Sequence, residues 1–265
     1  MSIYIIKANG EKAAFSPDKI YHTAIRAGAS PGFADEVVSK VRKKVRNGMS
    51  TRAILKLTLF YLKENPVVAE RYTLKQAIMN LGPHGYFFER FFARLLENHG
   101  YKTRVGKVMQ GKCVTQEVDI SAVNKLRYMI ECKYHNSPGI YTDIKEAMYT
   151  YARFLDLKKH FDRAWLATNT KMSHHAKQYC NCMEIKITSW NYPHEENLQT
   201  LIMKKNLYPI TILRALSRFE REKLSRTGIL LVKDITSLKV GELMSKASIP
   251  RKKAEKILLS ARQIV

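Results

Sequence analysis

The sequence predicts a multidomain α/β protein. It divides into a small α+β unit over residues 1–82, a central α/β core with a mixed sheet over 83–194, and an all-α unit over 195–265. Three observations carry that prediction. Short β-branched runs alternate with longer helical patterns through the first two thirds of the chain. Leu81-Gly82-Pro83-His84-Gly85 sets two glycines and a proline between periodic segments, which marks a boundary. From Leu207 onward the pattern is helical with short breaks. A chain of 265 residues has room for two or three units that each bury a core.

Charge narrows the partner. The net charge is +23, from 46 basic and 23 acidic residues distributed along the whole chain. A field of that sign calls for a polyanion, and nucleic acid comes first. An anionic membrane is the competitor, but the chain has no long apolar run and no strongly amphipathic basic helix, so no membrane partner is expected. Met1-Ser2-Ile3-Tyr4-Ile5-Ile6-Lys7 lacks the charged and extended apolar regions of a signal peptide. Four cysteines without a regular framework fit a reducing cytoplasm. Cys180-x-Cys182, with only His174 and His175 nearby, reads as structural rather than as a zinc site, which needs paired ligand clusters.

Residues 2–7 read as a strand, Asn9-Gly10 as a hairpin turn and Lys12–Phe15 as the return strand. Ser16-Pro17 is an N-cap followed by proline at the first helical position, and that helix stops at Gly28. Helical patterns follow over Gly32–Asn47, Thr51–Glu64 (capped by Ser50) and Val67–Leu81. Ile6-Lys7-Ala8-Asn9-Gly10-Glu11, with Phe15, Lys19-Ile20 and Ala24-Ile25, resembles the ATP-cone domain, the nucleotide-binding module of ribonucleotide reductases and their repressor. The resemblance implies that Lys7 and Lys19 contact phosphates of ATP or dATP and that the Asn9-Gly10 turn lets backbone approach them. The family often has Arg after the first lysine, where Ala8 stands here. A basic docking domain that binds no nucleotide is the alternative.

Past the boundary, Tyr86–Asn98 is a helix with Phe87, Phe88, Phe91, Phe92, Leu95 and Leu96 at helical spacing, and Gly100 stops it. Those aromatics are core. Glu89 lies beside the Phe92/Leu96 stripe, where an acid needs either a functional reason or a surface ion pair. Tyr101–Val108 reads as a strand, and Gly111-Lys112-Cys113 turns into Gln116–Ile120, which returns as Met129–Lys133. If the second turn centres near Lys125, Asp119 pairs with Glu131 and Glu117 with Lys133, their Cβ atoms roughly 4.5–5.5 Å apart. Two carboxylates so close repel unless a divalent cation or a proton relieves them. Mg²⁺ or Mn²⁺ held by carboxylates, with a lysine beside it and phosphate as a further ligand, resolves the conflict. The alternative is a solvated face with a Glu117–Lys133 ion pair, worth about 0–1 kcal/mol.

Thr142–Leu155 is the next helix, with Lys145, Tyr149 and Arg153 at i, i+4, i+8, a face suited to a phosphate backbone. Arg163–Asn169, a helix capped by Ser173, and Glu184–Trp190 complete a strand–helix–strand unit. Asp119 followed by Glu131-Cys132-Lys133 resembles the PD-(D/E)XK nuclease motif in its Mrr-like, restriction-endonuclease branch, and Phe88-Glu89-Arg90 matches the glutamate of that branch's first core helix. The resemblance implies that Asp119, Glu131 and Glu89 bind metal and that Lys133 joins them in catalysis. Many of these enzymes carry a glutamine in the following helix, where Lys145 or Glu146 stands. His135, alone in the polar loop after Lys133, has no assigned role.

Pro193–Asn206 reads as a linker helix, followed by helices over Ile210–Arg218, Glu220–Arg226, Val232–Ile235, Val240–Ser245 and Arg251–Ile264. Ala247-Ser248-Ile249-Pro250-Arg251-Lys252-Lys253-Ala254 resembles half of a helix-hairpin-helix unit, with Ser248 and Pro250 in place of its glycines. That resemblance implies DNA-backbone binding through Arg251, Lys252 and Lys253; protein docking is the alternative. The domain order resembles restriction-endonuclease-like proteins with an amino-terminal ATP-cone. The expected activity is metal-dependent hydrolysis of DNA phosphodiesters, regulated by nucleotide. The rivals are a structure-specific nuclease, commonly a homodimer that sets two sites on one four-way junction, and a non-catalytic, nucleotide-responsive DNA-binding regulator.

Overall fold

The computed structural model describes residues 3–82 and 85–265. Ser2 of the first expected strand and Pro83-His84 of the expected boundary lie outside the described residues. β1 (Tyr4–Ile6) and β2 (Lys12–Ala14) form the expected antiparallel hairpin, and Gly10 takes the left-handed conformation its turn requires, φ +84°. A short β3 (Met49–Ser50), too brief to show in the periodicity, adds parallel to β1. Beneath this sheet lie α1 (Pro17–Arg26), α2 (Pro31–Lys44), α3 (Thr51–Leu62) and α4 (Pro66–Tyr72). Ser30, Ser50 and Asn65 cap α2, α3 and α4 by accepting the N–H groups of Phe33, Ala53 and Val68. Ile20, Ala24, Val37, Val41, Leu62 and Val68 close the core.

The single helix expected over Val67–Leu81 is two. Thr73 leaves helical geometry and its hydroxyl bonds the Glu70 carbonyl at 2.7 Å, so the chain turns before α5 (Leu74–Met79). That turn sends Leu74, Ala77 and Ile78 into the second core instead of the first.

The central sheet is mixed, as expected. β4 (Lys102–Gln110), β5 (Thr115–Val123) and β6 (Arg127–Lys133) run antiparallel. A two-residue β7 (Tyr141–Thr142) follows, and β8 (Arg163–Thr168) then joins β6 in parallel. β9 (Lys171–Met172) pairs with β7 in a separate ribbon, and β10 (Lys186–Thr188) completes the order β10-β8-β6-β5-β4. On one face α6 (Tyr86–Asn98) buries Phe88, Phe91 and Phe92 completely, against Ile120, Ile130 and Trp165. On the other, α7 (Ile144–Asp156) and α8 (His174–Cys182) pack against Met129, Ala164 and Leu166.

Alternate residues of a strand share a face, yet the β4–β5 hairpin breaks this rule at one level. Ile120 and Ala122 enter the α6 core, whereas Val118 enters the α7 core. Opposite them, Val105 packs on the α6 core and Met109 on the α7 core. Register is the same on either side, Val105 opposite Ile120 and Lys107 opposite Val118. The hairpin therefore rolls over between these pairs, at Gly106 and Asp119. Gly106 makes the roll available with φ +65°.

The remaining chain forms α9 (Leu198–Lys204), a 3₁₀ turn (Ile210–Ile212), α10 (Arg218–Arg226), α11 (Val232–Thr236), α12 (Val240–Ala247) and α13 (Arg251–Ile264). The helix expected over Ile210–Arg218 is replaced by that turn because Pro209 and Ile210 bridge to Leu231 and Leu230, drawing their backbone out of helical pairing. Leu198, Leu213, Leu224, Ile235, Ile257 and Ile264 share one continuous core with α5, α6 and the sheet. Among the described residues no helix is long and apolar enough to cross a membrane.

Candidate active site

The sheet forks where Asp119 stands. The β5–β6 ladder runs from Val123–Arg127 to Ile120–Ile130 and keeps the register that centres on Lys125. The next facing residues are Asp119 and Glu131, but backbone pairing has ended. The Cys132 N–H donates instead to Asp119 Oδ2 at 2.7 Å. A buried amide freed by diverging strands needs an acceptor, and the carboxylate supplies it. β6 itself stays straight, held by parallel pairing of Glu131 with Leu166 and Lys133 with Thr168.

Four carboxylates, Glu89, Glu117, Asp119 and Glu131, feel one another in this fork. Burial, then repulsion from Asp119, Glu117 and Glu131, pushes Glu89 up to about 7. Burial and Asp119 push Glu131 up to about 7 against the pull of Arg153 and Lys133. Asp119 is raised by burial, and the Cys132 amide and Arg153 oppose the shift. Among the described residues no three His, Cys, Asp or Glu side chains stand close enough, as they lie, to hold an ion. The donor set is nevertheless one of hard oxygens carrying an unrelieved negative field, which suits Mg²⁺ or Mn²⁺.

Arg153 is the main departure from expectation. It does lie over the Tyr149 ring, at 5.5 Å, but its side chain is only 13 % exposed and turns inward. Its guanidinium bonds Glu131, the Glu117 carbonyl and Gln116 Oε1. It offsets part of the negative charge of the site and is not free for a phosphate backbone; Lys145 stays on the surface of α7. Lys133 faces Glu146 at 3.9 Å, and Glu146 also closes the first turn of α7 by accepting the Asp143 N–H. No Glu117–Lys133 pair forms among the described residues. The Asp143-x-x-Glu146 spacing is the signal by which Glu146 could have been recognised. Gln116 gave no such signal, since its two partners, Arg153 and Asp156, are remote in sequence. His135 is structural: its N–H donates to Asn169 Oδ1, and its ring sits 3.2 Å from the Thr142 hydroxyl.

The other expected residues lie apart. Lys7 pairs with Glu11 at 3.0 Å, the Asn9 side chain accepts the Glu11 N–H, and Lys19 is exposed. The Asn9-Gly10 turn rests on the loop between Lys133 and α7: a Cβ added at Gly139 would come within 3.2 Å of Asn9. Arg251 is exposed and pairs with Glu255, and Lys252 is exposed. Lys253 is bound to Glu220 at 2.7 Å, which takes it out of the free basic set. Ser248 adopts the left-handed conformation, φ +54°, at the C-terminal end of α12. Cys180 is buried with its thiol pushed up to about 12 by burial, while Cys182 is exposed.

Comparison with known proteins identifies three family regions along the chain. The ATP cone domain family matches residues 3–78, a restriction endonuclease family (Mrr_cat) matches 82–194, and the AF1548-like C-terminal family matches 208–265. A protein of Archaeoglobus fulgidus described as uncharacterized is 46% identical over 175 residues, which span 65% of this chain and 99% of that protein. The crystal structure of a protein of unknown function, AF1548, is 45% identical, with a TM-score of 0.61, over 68% of this chain and 98% of its own.

Proposed function

Because this chain belongs to the AF1548-like family, and joins an ATP-cone to a restriction-endonuclease-like domain, we propose that it is a metal-dependent DNA endonuclease regulated by ATP or dATP. The observation that carries the reading is the fork. Asp119 is stationed where β5 leaves β6, with Glu131 and Lys133 projecting from the strand that stays behind. A purely structural hairpin has no use for facing carboxylates whose protonation is this strongly favoured.

In this reading Asp119, Glu131 and Glu89 hold Mg²⁺ or Mn²⁺. When bound, such an ion supplies a Lewis acid and an activated water. The chain's own groups do the rest. Arg153 holds Glu131 in place and limits the negative charge of the site. Lys133 presents its ammonium to the phosphate and stabilises the charge that builds on it, while Glu146 orients that ammonium. The +23 net charge draws DNA to the protein, and Lys145, Arg251 and Lys252 meet its backbone. Lys7, Asn9, Gly10 and Lys19 bind the nucleotide. Its effect reaches the site through the Asn9–Gly139 contact, since that loop leads directly from Lys133.

The test offers purified protein supercoiled plasmid, linear duplex, single strand and a four-way junction, with Mg²⁺ or Mn²⁺, and with or without ATP or dATP. Metal-dependent cutting is expected, reduced more than tenfold in Asp119→Ala and in Lys133→Ala. Wild-type-like cutting by either variant removes the assignment. Preference for the junction by a homodimer selects the structure-specific enzyme, and steeply salt-sensitive binding with no cutting selects the DNA-binding regulator.

A further inference from the structure

A cavity of about 170 Å³ lies where the three family regions meet. Its walls include Arg26 at the end of α1, Arg71 and Lys75 across the α4–α5 break, Trp190 beyond β10, Gln199 on α9 and Tyr208. No carboxylate lines it. By this measure a water needs about 10–15 Å³, so the space admits several waters or one small anion. It falls below the roughly 300 Å³ at which pockets for larger molecules begin.

The three cations lack counter-ions. Among the described residues Arg26, Arg71 and Lys75 form no ion pair. Arg26 donates only to the Thr23 hydroxyl, at 3.1 Å. Arg71 donates Nη2 to the Ile264 carbonyl at 2.8 Å and lies over the Tyr208 ring, but its Nε is buried with no acceptor. The Lys75 ammonium has the face of Trp190 at 4.7 Å, and the charged group acting on it is Lys171, of like sign. A buried N–H without an acceptor and an enclosed ammonium without an anion are both costly arrangements, and an oxyanion is the class of ligand that relieves such groups. Burial and Lys171 hold Lys75 down at about 8, a shift that a bound anion reverses.

We propose that this cavity binds a phosphate group, either inorganic phosphate or the phosphate of a nucleotide, at a site separate from the β1–β2 hairpin. Arg26, Arg71 and Lys75 supply the charge-assisted donors, and Trp190 closes the wall behind Lys75. Residues from all three regions contribute, so occupancy fastens the first unit, the sheet and the C-terminal helices together. The site depends on neither the nuclease assignment nor nucleotide binding at the hairpin.

Trp190 is a built-in reporter. The full chain is titrated with inorganic phosphate, pyrophosphate and AMP at constant ionic strength, and indole emission is followed. A saturable change is expected, absent in Trp190→Phe. Affinity should be weakened at least tenfold in Lys75→Met and in Arg26→Gln, an exposed position whose change does not threaten folding. Lys246→Met, which removes one charge from α12 outside the cavity, should leave the affinity unchanged. Tighter binding of AMP than of inorganic phosphate identifies the nucleotide as the source, and the reverse identifies the free anion. Absence of a saturable response by both emission and calorimetry overturns the site, as does equal affinity in wild type, Lys75→Met and Arg26→Gln.

Discussion

Replacing Glu131 by Gln removes one of the competing charges while keeping its size, and the consequence for stability can be worked out. In the metal-free protein Glu131 is raised from 4.5 to about 7, chiefly by burial and then by Asp119. The group is 15 % exposed, so solvent screens it little. A carboxylate with a raised folded value binds its proton more tightly in the native state. Its stabilising contribution is complete below about pH 4.5 and is lost as pH rises through about 7. At about 1.36 kcal/mol per unit, the part lost between about pH 5 and about pH 8 is about 2–3 kcal/mol. Glutamine does not titrate, so wild type should lose about that much relative to Glu131→Gln over the interval. The assay is urea unfolding in EDTA at both pH values, followed by tryptophan emission, because Trp165 is buried on β8 opposite Ile130, the chain neighbour of Glu131. Adding Mn²⁺ at about pH 8 should restore wild type and leave the variant unmoved. A wild-type-minus-variant difference that is flat from about pH 5 to about pH 8 would refute the claim that the fork carries an unrelieved charge.

Substitutions at two glycines test the frame around the site. Gly106→Ala forces a side chain into left-handed geometry, with its Cβ 3.2 Å from Glu117 Oε1, and should cost about 1–2 kcal/mol in urea unfolding. Gly106→Asn, a residue that tolerates this conformation, should cost less, and equal stability of all three proteins would deny the roll its dependence on glycine. Gly111→Ala would set a Cβ 2.0 Å from Asp156 Oδ2 and 2.7 Å from the Val114 carbonyl, so thermal unfolding should show a loss of about 1–3 kcal/mol. An unchanged midpoint would mean that the hairpin tip is not clamped to α7.

Much of the site was legible because it is local. Period-two alternation and a turn centred on Lys125 suffice to set Asp119 against Glu131, and the observed register agrees. The spacing of Phe88, Phe91 and Phe92 gave α6 its buried face for the same reason. What escaped depends on distant partners. Arg153 sits at the correct helical spacing for an outward basic face, and only the tertiary fold brings Glu131 and Gln116 within its reach. The roll at Gly106 is equally silent, since a glycine in a strand signals an irregularity without saying which way the chain turns. The cations at Arg26, Arg71 and Lys75 are spread over fifty residues and meet only through the break at Thr73.

That break also sets a timetable for synthesis. Arg71 is tied to the Ile264 carbonyl, 193 residues later in the chain, and Leu74, Ala77 and Ile78 share a core with Ile257 and Ile264. At about 5–20 residues per second, the partner emerges from the ribosome about ten to forty seconds after α5 does. Through that interval α5 and the phenylalanine-rich face of α6 lack part of their final cover. The nascent chain therefore passes through a prolonged sticky stage, in which chaperone occupancy should be concentrated on residues 74–96.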